Sequence, residues 1–337
     1  MNFRFSPSVI FFGIPMGLLG SVLNGRHLET MFDTHIFYVD WLLWYGWLAL
    51  AIVGGGYLFG FFTPSRHKLK AEWLNTFQIS LFPSITLSLI LGIVTLYETF
   101  TLSETQQAWL YTVYFLVVLF HTFLNGLLIN RWIFEPSVPI QDHKPTWFIL
   151  LSGNFVVVIS GLTLFDAEQL AAWPVWNELL WFYFSAGLLI WFSFAVSQFY
   201  RLFFEPSLEP ALRPSLFIFL APPSLATIAS LLLIHPDLAH SLPQENELPM
   251  LTWMLYSFAI FMFILLMVSA KHFISCGLTT TGWAYVYPLA AFGFATQYMA
   301  QILNSPVLSF ASIVIFFLVT LFITLLSGLL LKHIIKS

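Results

Sequence analysis

Apolar residues run along this chain in long blocks separated by short polar stretches, without the strict alternation of a half-buried strand. A helix needs about 20 apolar residues to cross a hydrocarbon core of about 30 Å. Ten blocks qualify: roughly 8–24, 41–62, 75–96, 108–129, 146–165, 179–200, 214–234, 250–270, 281–302 and 308–331. Each is about twice as long as a membrane β-strand, so the pattern predicts an all-α integral membrane fold with ten transmembrane helices. The first run, Val9 to Leu23, follows Arg4 as the core of a signal peptide would. Similar runs recur to the end of the chain, however, and mark it as a retained span. No Ser/Gly linker or charge block sets off a soluble part. Residues 1–337 are therefore expected to form a single transmembrane domain.

Charge gives the direction. With the N-terminus cytoplasmic, the inner segments hold Arg4, Arg66, Lys68, Lys70, Arg131, Lys144, Arg201, Arg213, Lys271, Lys332 and Lys336, which is 11 of the 12 basic residues. Only Arg26 falls outside, as the positive-inside rule requires of a well-oriented chain. Glu29, Asp33, Asp40, Glu98, Glu104, Asp166, Glu168, Glu178, Asp237, Glu245 and Glu247 take the outer side. An odd number of spans would spoil this division, so both termini are expected in the cytoplasm.

Composition narrows the class. Asp, Glu, Lys and Arg make up 8% of the chain, against roughly 25% in soluble domains. A soluble enzyme and a disordered scaffold are excluded. The net charge of −4 lacks the basic footprint of a nucleic-acid binder. Cys276 is the single cysteine, which rules out an internal disulfide and a thiolate metal cluster.

Five of the 18 prolines fall inside expected helices: Pro15, Pro83, Pro222, Pro223 and Pro288, all in odd-numbered spans. A proline within a helix removes a backbone hydrogen bond and bends the chain. In lipid the freed carbonyl must find a partner or face a water-filled cavity. Pro15, Pro83, Gly153, Pro222 and Pro288 succeed one another at intervals of 68, 70, 69 and 66 residues, with Gly153 standing where the others have proline. This spacing predicts five tandem helical hairpins, each with one bent and one straighter helix. Coincidence in proline placement is the competing explanation.

The odd spans also carry small or hydroxyl residues near their expected bends. These are Gly13, Gly17 and Gly20; Ser80, Ser84 and Ser88; Ser152, Gly153 and Asn154; Ser224, Thr227 and Ser230; Ala290, Ala291 and Gly293. Small residues at helical spacing commonly allow close helix packing, the reading taken for Gly54, Gly55 and Gly56 in the second span. On five like-directed bent helices the same residues could line a narrow central pore. The straighter helices, rich in Leu, Phe and Trp, would then form an outer, lipid-facing ring.

No Asp, Glu, Lys or Arg lies in the middle third of any expected span. Intramembrane ionisable groups mark proton relays and coupling sites, so a carboxylate-based antiporter, an intramembrane protease and a metal-dependent lipid enzyme are all disfavoured. His121 is the one histidine at depth. Lacking a second ligand, it reads as a histidine hydrogen-bonded to a neighbouring helix, and no cofactor or metal is expected. A pore without fixed charge can still select through hydroxyls and backbone dipoles, and it can close at an apolar constriction. The acidic outer loops run against an anion pathway.

Particular motifs then become familiar: Phe12-Gly13-Ile14-Pro15-Met16-Gly17, Pro145-Thr146-Trp147-Phe148-Ile149 with Gly153-Asn154-Phe155, Ser207-Leu208-Glu209-Pro210, Leu220-Ala221-Pro222-Pro223-Ser224 and Trp283-Ala284-Tyr285-Val286-Tyr287-Pro288. In this order, over nearly the whole chain, the pattern resembles the tellurite-resistance/dicarboxylate transporter family. That family includes bacterial TehA, yeast malate and sulfite permeases and the plant guard-cell slow anion channel. The resemblance implies a homotrimer in which each protomer has its own pore, made by five inner helices and ringed by five outer ones. It further implies an aromatic plug just before the ninth-span proline, a position held here by Tyr287 in place of the usual phenylalanine. Phe155 is the candidate second plug. The alternative is that Tyr287 is one packing aromatic among many.

The sequence thus leads to an anion channel, or channel-like facilitator, of a bacterial inner membrane, with small anions and lipid as its partners and no nucleic acid. Pro15, Pro83, Gly153, Pro222 and Pro288 are the expected shaping residues. Gly13, Gly17, Ser84, Ser88, Asn154, Ser224 and Thr227 are the expected lining. An alternating-access carrier for C4-dicarboxylates or sulfite is the rival, and unitary conductance separates the two.

Overall fold

The computed structural model describes residues 7–63, 66–135, 138–239, 248–277 and 279–336. Arg4, Glu245 and Glu247, used above to set the topology, lie outside them, as do the side chains of Asp237 and Lys336. Among the described residues every regular element is helical. In chain order these are α1 (Gly13–Phe32), α2 (Phe37–Phe61), a short α3 (Arg66–Leu74), α4 (Pro83–Thr99), α5 (Glu104–Phe134), α6 (Phe148–Leu164), a short α7 (Ala167–Ala172), α8 (Pro174–Phe204), α9 (Ala221–Ile234), α10 (Met250–Val268), a short α11 (Ala270–Ile274), α12 (Val286–Ile302) and α13 (Pro306–Lys336). Local chemistry sets several ends. Ser103 and Gln106 form a reciprocal capping box before α5. Pro174 opens α8, where its missing N–H leaves no bond unmade. Asp33 stops α1 in the left-handed conformation.

The odd-numbered spans share a construction that corrects the simple picture of a mid-helix kink. A 3-10 segment leads into each: Val9–Phe12 into α1, Gln78–Leu81 into α4, Pro145–Trp147 into α6, Pro210–Leu220 into α9 and Thr280–Tyr285 into α12. Pro83 opens α4, while Pro15, Pro222, Pro223 and Pro288 lie in the first turns of α1, α9 and α12. A proline cannot donate back along the chain, so it sits where bonding changes from the tighter 3-10 ladder to the α ladder. The fifth span makes the same change at Trp147–Phe148 with no proline at the junction. Gly153 is therefore inside α6 and not at a bend. Its role is contact: a Cβ there would collide with the His121 ring and with Leu87.

Counting each 3-10 lead with its helix, nine segments among the described residues are long and apolar enough to cross a membrane. The expected span 281–302 is helical but is not one of the nine, because residues 280–302 are less apolar, carrying Thr280, Thr281, Thr296, Gln297 and Gln301. Its surroundings explain the difference. The helix is enclosed by α1, α9 and α13, and Gln297 Nε2 donates to the Asn24 carbonyl at 3.1 Å and to Asn24 Oδ1 at 2.5 Å. A helix walled by protein needs satisfied polar groups, not a uniformly apolar surface.

Burial divides the segments. In Val9–Phe32, Gln78–Thr99, Pro145–Leu164 and Pro210–Ile234, 78% to 94% of the most apolar stretch is buried; in Phe37–Phe61, Glu104–Phe134, Pro174–Phe204, Met250–Val268 and Pro306–Lys332 the share is 28% to 39%. The buried helices touch in the closed order α1, α4, α6, α9, α12 and back to α1. Each exposed helix packs on the one before it in that order: α2 on α1, α5 on α4, α8 on α6, α10 on α9 and α13 on α12. The 3-10 leads touch one another successively, so all five buried helices point the same way. Gly54 and Gly55 differ from their expected role: nothing in the chain lies within 4 Å of a Cβ built at either, so they bring no helix of this chain close.

Candidate functional site

Two cavities lie inside the ring of buried helices. The larger, at the end of the 3-10 leads, offers about 80 Å³ of room for water. All five segments line it, through Gly13 and Met16, Leu81 and Ser84, Ile149 and Ser152, Ile218 and Ala221, and Ala284, Tyr287 and Pro288. The smaller, about 30 Å³, also draws on all five, through Gly20 and Leu23, Leu91 and Val94, Val156 and Ile159, Leu225, and Tyr287, Ala290 and Ala291. A space of that size holds one or a few waters. Tyr287 is the residue common to both linings. Its ring is 5% exposed, and its hydroxyl is buried without a hydrogen-bond partner.

Of the residues expected at the site, the structure brings together Tyr287, Pro288, Gly13 and Ser84. It turns the others elsewhere. Phe155 is fully buried, packed edge-on against Phe184 of α8 and close to Gly187, so its ring points outward from the cavities. Ser88, Ser224 and Thr227 have no exposed surface. Their hydroxyls donate to the carbonyls of Ser84, Leu220 and Pro223 at 2.7 to 2.8 Å, the back-bond that serine and threonine commonly make in helices. Asn154 accepts from Asn125 Nδ2 of α5 at 3.1 Å. Gly17 abuts Val286 and the Tyr287 amide, so it serves the contact of α1 with α12. Pro15, Pro83, Gly153 and Pro222 line neither cavity.

The residues that sequence reasoning missed are apolar ones: Met16, Ile149, Ile218, Leu91, Val156 and Leu225. A signal existed in their spacing. Gly13, Met16, Gly20 and Leu23 recur at three- and four-residue steps, as do Ile149, Ser152, Val156 and Ile159, which marks one helix face. Most hydroxyls at the larger cavity are already engaged. Ser84 donates to the Leu81 carbonyl at 2.5 Å, Ser215 to that of Leu212 at 2.6 Å, Thr281 to that of Ala211 at 2.8 Å, and Thr146 pairs with Ser80 at 2.7 Å. Ser152 and Tyr287 are the lining residues whose buried hydroxyls lack a partner. They belong to α6 and α12, which are not neighbours in the ring.

His121 takes the structural role expected of it. It is fully buried, with Nδ1 2.8 Å from Thr86 Oγ1 and Nε2 3.0 Å from Asn125 Nδ2. Thr86 already donates to the Pro83 carbonyl at 2.9 Å. The set is therefore complete with a neutral ring whose proton is on Nδ1. Among the described residues no group of three or more His, Cys, Asp or Glu could hold a metal ion.

Charge is confined to the two ends. Among the described residues no Asp, Glu, Lys or Arg lines either cavity. At the larger cavity's rim, Lys144 Nζ stands 5.4 Å from the ring centre of Phe77, a lining residue. Beyond the smaller cavity, at the far end of α1, Arg26 pairs with Glu29 at 2.8 Å and with Asp40 at 2.6 Å. His35 is 3.4 Å from Glu29 and 3.2 Å from Asp40. Part of the acidic charge on that side is thus already compensated.

Against known families, residues 4–331 match the model described as voltage-dependent anion channel. No curated protein matches the chain.

Proposed function

Because the chain belongs to the voltage-dependent anion channel family, we propose that it passes small anions through a conduit within each protomer, closed at Tyr287. The conduit is formed by ten transmembrane helices in five hairpins, the five proline-rich ones inside and the five straighter ones against lipid. Both termini are cytoplasmic, in a bacterial inner membrane, and the assembly is a homotrimer. The observation that carries the reading is that one aromatic ring borders the cavities on both of its sides.

The lining suggests which ions pass. Desolvating an ion costs steeply more as its charge rises, and an uncharged wall returns little of that cost. Two unengaged hydroxyl donors, Ser152 and Tyr287, can each give one hydrogen bond to a monovalent anion. Among the described residues nothing charged meets a dianion in either cavity, so a carrier for C4-dicarboxylates is the weaker reading.

Full-length protein in planar bilayers tests the proposal. Tyr287→Ala should raise chloride and nitrate current and leave discrete unitary steps. Unchanged current would overturn the gate, and saturable exchange without unitary steps would favour a carrier.

A further inference from the structure

Glu72, in the short helix α3, is a carboxylate that borders neither cavity and is only 2% exposed. Its Oε2 accepts from the Val9 amide and from the Tyr57 hydroxyl, each at 3.3 Å. Val9 opens the 3-10 lead of α1 and Tyr57 belongs to α2, so Glu72 ties α3 to the ends of both helices. Its neighbours add to the attachment. Leu69 is buried, the Trp73 ring meets Phe82 edge-on at 5.0 Å between centres, and the Trp73 carbonyl accepts from Arg131 of α5. Leu69, Glu72 and Trp73 follow one another at helical spacing, so one face of α3 is fixed against the protein and the rotation of the helix is set.

The opposite face is basic and open. Arg66 and Lys70 are four residues apart and exposed, and His67 and Leu74 lie on the same side. Among the described residues no ion pair involves Arg66 or Lys70. Leu74 is 57% exposed, and Phe61 and Phe62, just before α3, are exposed as well. The helix connects the spans Phe37–Phe61 and Gln78–Thr99, and its contacts with Val9, Tyr57 and Phe82 hold it beside their ends. Cations set among exposed apolar side chains at the end of a span match the boundary between lipid headgroups and acyl chains.

We propose that α3 lies on the membrane surface and binds anionic phospholipid headgroups through Arg66 and Lys70. The Arg66 guanidinium gives parallel N–H bonds to two oxygens of one phosphate. Lys70, one helical turn on, adds a point charge to the same headgroup or its neighbour. Phosphatidylglycerol keeps its net negative charge for this pairing, whereas the choline of phosphatidylcholine cancels it within the headgroup. Leu74 and the two phenylalanines rest among the upper acyl chains. The site is separate from the conduit, because neither Arg66 nor Lys70 lines a cavity.

Purified full-length protein, equilibrated in detergent with equal amounts of phosphatidylglycerol and phosphatidylcholine, tests the proposal, with bound lipids counted by native mass spectrometry. The wild type should retain phosphatidylglycerol in preference to phosphatidylcholine. Arg66→Gln combined with Lys70→Gln removes two exposed charges and no buried contact, and should weaken phosphatidylglycerol binding about 30-fold. Lys271→Gln combined with Lys332→Gln removes the same charge from other exposed positions and should leave the preference in place. The readout does not involve current, so it is independent of whether Tyr287 closes the conduit. Equal retention of the two lipids by the wild type would leave this face to an acidic protein partner and overturns the proposal. An equal loss of phosphatidylglycerol in the two double variants also overturns it, since the preference would then follow net charge and not α3.

Discussion

The Tyr287 ring lies against Gly20 of α1, so closely that a methyl group added to Gly20 would sit 2.9 Å from Cδ2 and 3.1 Å from Cε2. Carbon atoms do not approach to that distance, so Gly20→Ala must displace the ring away from α1 and, on the proposed reading, further across the conduit. The variant should pass less anion current than the wild type. Combined with Tyr287→Ala, it should behave as Tyr287→Ala alone, because residues in contact act non-additively. Current in planar bilayers measures both. An additive double variant would separate Gly20 from the gate.

Removing a hydroxyl without removing the ring separates binding from closure. Tyr287→Phe keeps the steric block but deletes one of the two buried, unengaged hydroxyls at the larger cavity, and Ser152→Ala deletes the other. A hydrogen bond to an ion contributes about 1.5–3 kcal/mol. Each change should therefore raise the half-saturating chloride concentration about tenfold or more, with little increase in the closed-state leak. Current as a function of concentration checks this. A leak as large as that of Tyr287→Ala would show that the hydroxyl holds the gate shut.

The fold was largely legible because lipid and helix chemistry constrain it tightly. Blocks of about 20 apolar residues and regularly spaced prolines mark the helices and their repeat, and Pro83 and Pro222 do sit where each inner segment changes ladder. Side-chain direction was less legible. Ser88 and Ser224 look like lining residues, but a serine in an apolar helix can satisfy itself on the preceding turn, and both do. Phe155 looks like a second plug, yet one helical step decides whether a ring faces the cavities or α8, and it faces α8. Span 281–302 shows the converse. Its glutamines argue against a lipid-exposed helix, whereas the partner of Gln297 is Asn24, more than 270 residues away in sequence.

Gly153 supports a stability prediction that is independent of conduction. A Cβ at this position would strike the His121 ring, which Thr86 and Asn125 hold in place by hydrogen bonds. Gly153→Ala should destabilise the folded protein by about 1–3 kcal/mol through overpacking. That amount lowers the melting temperature by several degrees at roughly 2–4 °C per kcal/mol. His121→Ala removes the obstructing ring, so the double variant should be less destabilised than the sum of the two single changes. Thermal unfolding in detergent provides the comparison, and full additivity would mean that Gly153 acts elsewhere.

Arg26 is the basic residue at the otherwise acidic end. It pairs with both Glu29 and Asp40, offsetting one of their two charges, and its side chain is 22% exposed, so it is partly open to solvent. Arg26→Gln would remove one positive charge from beside the two carboxylates beyond the smaller cavity. The local potential becomes more negative, which lowers the concentration of anions at that mouth. Current carried by anions entering from that side should fall, while current from the Lys144 side should change less, so the current–voltage relation should rectify. The effect is electrostatic and must therefore depend on salt. The Debye length is about 30 Å at 0.01 M and about 3 Å at 1 M, so rectification should be pronounced in dilute salt and nearly absent in concentrated salt. A loss of current that is equal in both directions and unaffected by salt would instead indicate that breaking the Arg26 pairs distorts the α1–α2 hairpin.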